Sequence, residues 1–185
     1  NSINYEEILN KFDTTFYKFK EPHFHYTANI LNIPDHSFLD GYWQSELYFK
    51  YCAQELRKIF SFSKKSDKKN SLIANEIIQN NSISIHVRRG DYLLKTNNNH
   101  NIDLKKYYLT AIEKTSIFFK DPKYFIFTDD PLWVAENFTL DYSFTVVDIN
   151  RGTESFYDMH LMSLCKCNII ANSSFSWWGA WLNDK

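Results

Sequence analysis

Four groups of residues carry side chains suited to holding a phosphorylated ligand. In His86-Val87-Arg88-Arg89-Gly90-Asp91, two of the chain's four arginines stand side by side before a glycine. Guanidinium forks grip phosphate oxygens in pairs, as a lysine ammonium cannot, and glycine lets a ligand approach the backbone. A pyrophosphate clamp is one expectation; an arginine pair bonded to Asp91 is the other. Thr128-Asp129-Asp130-Pro131 offers an acidic pair. With proline at the first helical position it reads better as an N-cap plus a loop-supporting carboxylate than as a metal site, and no metal is expected. Asp158 begins Asp158-Met159-His160-Leu161-Met162-Ser163, with Glu154 one turn earlier. A partly buried carboxylate needs donors, and guanine presents two adjacent N–H groups; a solvated helix-surface aspartate is the alternative. Asn172-Ser173-Ser174-Phe175-Ser176 precedes Trp177, Trp178 and Trp181. Open amides and small hydroxyls at a helix start form an anion site, so Asn172, Ser173, Ser174 and Ser176 are expected at a ligand and the tryptophans at the core.

These groups must be positioned by the elements around them. The charged run 61–70 (SFSKKSDKKN) reads as a solvated loop and divides two unlike parts, 1–70 and 71–185. In the first part, period-2 stretches at 12–19 and 23–30 suggest short strands, 37–43 is a further candidate strand, and apolar spacing predicts a helix over 46–60. In the second, strands are predicted at 82–87, 124–128, 144–147 and 168–171. Helices are predicted at 72–79, from Asp103 to about 118, at 131–137, at 154–165 and from about 175, the last capped by Ser174. A polar loop is expected at 95–101. Alternation of this kind implies an α/β fold, a mostly parallel sheet with helices on both faces. Ligands then sit outside the carboxyl ends of the strands, where all four groups fall.

Composition narrows the class. Of 185 residues, 44% are apolar and 23% charged, enough to bury a core. A net charge of −1 argues against a non-specific nucleic-acid binder. No apolar run approaches the length of a membrane span. Cys52, Cys165 and Cys167 are too few and too oddly spaced for a disulfide framework, so buried thiols in a reducing, cytoplasmic compartment are expected.

HVRRGDY at 86–92, FIFTDD at 125–130, DMHLMSLCKCNIIANSSFSWWGAWLN at 158–183 and Gly41-Tyr42-Trp43-Gln44-Ser45-Glu46 resemble the bacterial α-1,2-fucosyltransferases of glycosyltransferase family 11. That resemblance implies a GT-B-like enzyme with two Rossmann-type halves, 71–185 being the GDP-fucose-binding domain and 1–70 the remnant of the acceptor side. It implies inverting transfer of L-fucose to the 2-hydroxyl of a galactose-containing glycan, with no metal or other cofactor. By the same likeness Arg89 grips the pyrophosphate with Arg88 beside it, Asp158 reads guanine, Ser176 touches phosphate with Ser173, Ser174 and Asn172 close by, and His86 lies near the donor. His86 and Asp91 are the candidates for the base. The family's glycine-rich opening segment does not occur here and the chain starts at Asn1, so a fragment is expected. The lysine and glutamate that follow the arginine motif in α-1,6-fucosyltransferases are replaced by Tyr92 and Thr96. The expected setting is the cytoplasm, with peripheral attachment to the inner membrane left open. A non-catalytic nucleotide- or glycan-binding module, and a GT-B transferase using another sugar nucleotide, stand as alternatives.

Overall fold

The structure, a computed structural model, describes residues 17–62, 67–90, 104–138 and 141–185. The chain divides into two compact units, Asn1–Leu56 and Arg57–Lys185. Residues 57–62 and 67–70, grouped with the first part from the sequence, stand with the second unit.

In the first unit, β1 (Tyr17–Lys20) pairs in parallel with β2 (Ser37–Asp40). The strand predicted at 23–30 is not formed; a 3-10 turn occupies Ala28–Asn32. The Glu21 carboxylate accepts hydrogen bonds from the backbone N–H groups of Tyr42 and Trp43. The helix predicted at 46–60 begins as two 3-10 turns, Glu46–Tyr48 and Lys50–Cys52, and becomes α1 only at Ala53–Ile59.

The second unit is a four-stranded, all-parallel sheet: β3 (Asn81–Val87), β4 (Pro122–Thr128), β5 (Phe144–Val147) and β6 (Cys167–Ile169), in the order β5-β4-β3-β6. The helices are α2 (Lys68–Gln79), α3 (Leu104–Ser116), α4 (Pro131–Asn137), α5 (Phe156–Leu164) and α6 (Ser174–Trp181). α2 starts earlier than predicted because Asp67 caps it, accepting from the Asn70 N–H at 2.8 Å. The end of the charged run is therefore helix rather than loop.

Alternation along β4 shows why both sheet faces are covered. Tyr124 and Ile126 pack with Ile83, Ile85, Val87, Tyr108, Ile112, Val134 and Phe138. Phe125 and Phe127 face the other way, into Ile77, Val147, Leu161, Met162 and Cys165. Each fully buried Ile or Phe contributes about 1.5–3 kcal/mol, so two such clusters around a central strand pair fix the register. The chain steps from β3 outward through β4 to β5, then returns to the other flank of β3 as β6. β3 and β6 thus bracket the switch point, the place where open parallel sheets bind ligands. Among the described residues no helix is long and apolar enough to cross a membrane.

Candidate functional site

The loop after β3 is built by the loop after β4. Asp129 accepts from the backbone N–H of Arg89 at 2.9 Å and of Gly90 at 3.1 Å, and pairs with Arg88 Nη1 at 2.9 Å. A Cβ on Gly90 would lie 2.8 Å from Asp129 Oδ2, so a larger residue here would push that carboxylate aside. Asp130 has two tasks. One oxygen caps α4, accepting from the Trp133 N–H at 3.0 Å, and the other accepts from Arg89 Nε at 3.1 Å. The Trp133 N–H, then the Arg89 bond, hold the Asp130 carboxyl below its ordinary pKa. The Arg89 guanidinium also lies over the Trp133 ring, 4.2 Å from its centroid, a cation–π contact. Among the described residues the Arg89 guanidinium is hydrogen-bonded through Nε alone. Its outer nitrogens are thereby oriented by a stacked ring and one carboxylate, which lowers the cost of ordering the fork when an anion arrives.

The partners of the arginine pair are therefore Asp129 and Asp130; Asp91, the partner considered from sequence, lies outside the described residues, as do Tyr92 and Thr96. The acidic pair does what its proline suggested, one carboxylate capping a helix and the other supporting a loop. Among the described residues no group of three or more His, Cys, Asp or Glu side chains is arranged to hold a metal ion.

His86 is the penultimate residue of β3 and only 7% exposed. Its carbonyl accepts from the Tyr108 hydroxyl at 2.8 Å, its ring lies 5.5 Å from that of Phe175, and its Nδ1 is buried without a partner. Burial pushes the imidazole down to about 4, against the Asp129 charge and with that of Arg88. It is neutral at physiological pH.

The head of α6 lies beyond β6, on the opposite flank of β3 from Asp129 and Asp130. Both arginine side chains thus reach toward β4 in this structure, while the His86–Phe175 contact joins the end of β3 to α6. Ser173, not Ser174, takes the N-cap position: its backbone is extended and its carbonyl accepts from the Trp177 N–H at 3.0 Å. Ser176 is fully buried, and its hydroxyl bonds back to the carbonyls of Ser173 at 3.2 Å and Ala171 at 3.4 Å. Such back-bonding commits the hydroxyl to the helix, so Ser174 and Asn172 are the exposed members of this group. Trp178 packs on Phe60 at 5.4 Å and Trp181 under Arg57 at 4.3 Å, so the tryptophans dock residues 57–60.

Asp158 sits in the first turn of α5 and accepts from Asn150 Nδ2 at 2.7 Å. Burial raises its carboxyl to about 6, opposed by the Asn150 bond. Sequence reasoning missed Asn150, Asn70 and Trp133. Asn150 follows β5 at the same strand-end position as the other groups, and Trp133 stands three residues past the Asp130 cap, so position alone could have marked both. Nothing in the sequence marks Asn70.

The profile of glycosyl transferase family 11 matches residues 4–185. The chain belongs to that family. An alpha-1,2-colitosyltransferase of Escherichia coli is 38% identical over 149 residues, 78% of this chain and 50% of the relative. The O-antigen biosynthesis glycosyltransferase WbnK, also of Escherichia coli, is 40% identical over 105 residues, 56% of this chain and 35% of the relative. The alignments therefore span half or less of the length of these curated relatives. No solved structure matches.

Proposed function

We propose that residues 71–185 form the donor-binding part of an inverting α-1,2-fucosyltransferase that moves L-fucose from GDP-fucose to the 2-hydroxyl of a galactoside. The observation that carries this is the switch point: Arg88, Arg89 and Gly90 follow β3, the amides heading α6 follow β6, and these two strands are neighbours. Family membership supports glycosyl transfer, and the parallel sheet with helices on both faces supports a Rossmann-type half of a GT-B enzyme. In the reaction the anomeric bond to the GDP oxygen breaks as the acceptor oxygen attacks from the opposite side. Charge growing on GDP is met by Arg88, Arg89 and the N–H groups of Ser174 to Ser176, with no metal required. Asp158 accepts from the guanine edge. The acceptor's proton goes to Asp91 or to His86, two candidates by position, burial disfavouring the charged form of His86. The setting is cytoplasmic, peripheral at the inner membrane. The name of the Escherichia coli colitosyltransferase makes a colitosyl donor the second reading.

The test is transfer from GDP-fucose to lactose, with GDP-colitose, GDP-mannose and UDP-galactose as competitors. Arg89→Ala is expected to lower the rate about 10²–10³-fold and to weaken GDP binding; Arg89→Lys does not rescue it, because lysine has no fork. Unchanged turnover in Arg89→Ala overturns the assignment. Preference for the colitosyl donor selects the second reading, and GDP binding without transfer to any acceptor points to a binding module.

A further inference from the structure

We propose that Asn150 is a positioning residue for the donor's base: it holds one oxygen of Asp158 so that the other is left for the guanine edge. This rests on the assignment of Asp158 to the base. Asn70 and Asn150 are 2% and 8% exposed, an expensive place for two amides unless every donor is used. They are all used. Asn70 Nδ2 donates to Asn150 Oδ1 at 2.9 Å and to Asp67 Oδ1 at 3.3 Å. Asn150 Nδ2 donates to Asn70 Oδ1 at 2.9 Å and to Asp158 Oδ1 at 2.7 Å. Each amide has two N–H donors, so the four hydrogens are spent and the Asn150 amide has one orientation. Turned over, its oxygen would face the Asp158 carboxylate. A purely structural tie between α2 and the loop after β5 would need only the reciprocal Asn70–Asn150 pair. The fourth hydrogen goes to the residue expected to read the base, and among the described residues Asp158 Oδ2 has no partner.

The charged groups around Asp158 are Asp148 and Arg151 in the loop after β5, ion-paired with each other, Glu154 one turn earlier in the chain, and Asp67 at the far end of the amide chain. Asp148 disfavours the charged carboxylate and Arg151 favours it, both less than burial and the Asn150 bond. Removing the Asn150 donor therefore pushes the Asp158 carboxyl above about 6, and the ionised form that accepts from guanine disappears at higher pH.

GDP and IDP, which lacks the 2-amino group but keeps N1–H, are titrated into the protein by calorimetry between pH 5 and 8. Wild-type protein is expected to favour GDP by about tenfold or more, the worth of one hydrogen bond to a charged group. Asn150→Asp keeps the shape and removes the donor. It is expected to erase most of that preference at pH 7 and to move the acid limb of GDP binding upward. Asn150→Ala gives the same result without an added charge, covering failure of the first variant to fold. Asn70→Ala, which leaves the Asn150–Asp158 bond in place, has the smaller effect on the GDP-to-IDP ratio. Wild-type protein that binds GDP and IDP alike overturns the assignment of Asp158 and this proposal with it. A wild-type preference that persists unchanged, with the same pH limb, in Asn150→Asp or Asn150→Ala overturns the positioning role alone.

Discussion

Replacing His86 with leucine should make the protein less sensitive to mild acid. The imidazole sits at about 4 in the fold against 6.5 for an unconstrained histidine, mainly because burial disfavours its charged form. A folded pKa below the unfolded one means that the unfolded chain takes up a proton first. The stability contributed by neutral His86 is complete above 6.5 and is lost as pH falls from 6.5 through about 4. The whole gap corresponds to about 3.4 kcal/mol, and by pH 5 about 2 kcal/mol of it is gone. Because the ring is nearly excluded from solvent, screening takes little off this figure. Asp158 works in the opposite sense: its carboxyl is raised to about 6, so its contribution is present below the ordinary carboxylate range and lost as pH rises through 6. That term is common to wild type and His86→Leu and cancels in their difference. Leucine also removes the partnerless Nδ1, whose burial costs free energy. Urea unfolding at pH 7.5, 6 and 5 gives the measurement. The stability gap between the two proteins should shift toward the variant by about 2 kcal/mol between pH 7.5 and 5. Parallel curves over that range would refute the reasoning, since they would mean that His86 titrates normally in the fold.

Two further outcomes follow from the carboxylates after β4. Asp130→Ala removes the α4 cap and the Arg89 Nε anchor together; urea unfolding should show a loss of about 1 kcal/mol, and calorimetry a weaker affinity for GDP. Gly90→Ala forces the Asp129 carboxylate to turn away, breaking its bonds to Gly90 N–H and Arg88; stability should fall by about 1–2 kcal/mol, with a larger loss in GDP binding, and a variant that binds GDP normally would show that this loop conformation is not used.

The strand–helix alternation of residues 81–181 was legible because each strand is a short apolar or Ser/Ile run ended by polar residues, and each helix has its own cap or apolar spacing. Both depend on neighbours within a few positions. The strand ends therefore marked Arg88, Arg89, Asp129, Asp130 and Asn172–Ser174 before any coordinates. The residues before 57 were less legible: 23–30 has β-branched and aromatic residues but, among the described residues, no partner strand to pair with, and local propensity does not supply one. What only the tertiary structure decided is which side chains meet. β6 returns to the free flank of β3, so the head of α6 comes beside His86, some 90 positions earlier in the chain. Asp129 and Asp130 reach across 40 positions to hold Arg88 and Arg89. Asn70 meets Asn150 across 80. Such pairings rest on loop closure and on burial shared by distant segments, which no local pattern encodes. For the same reason Ser176, a hydroxyl at a helix start by sequence, turned out to be spent on its own backbone.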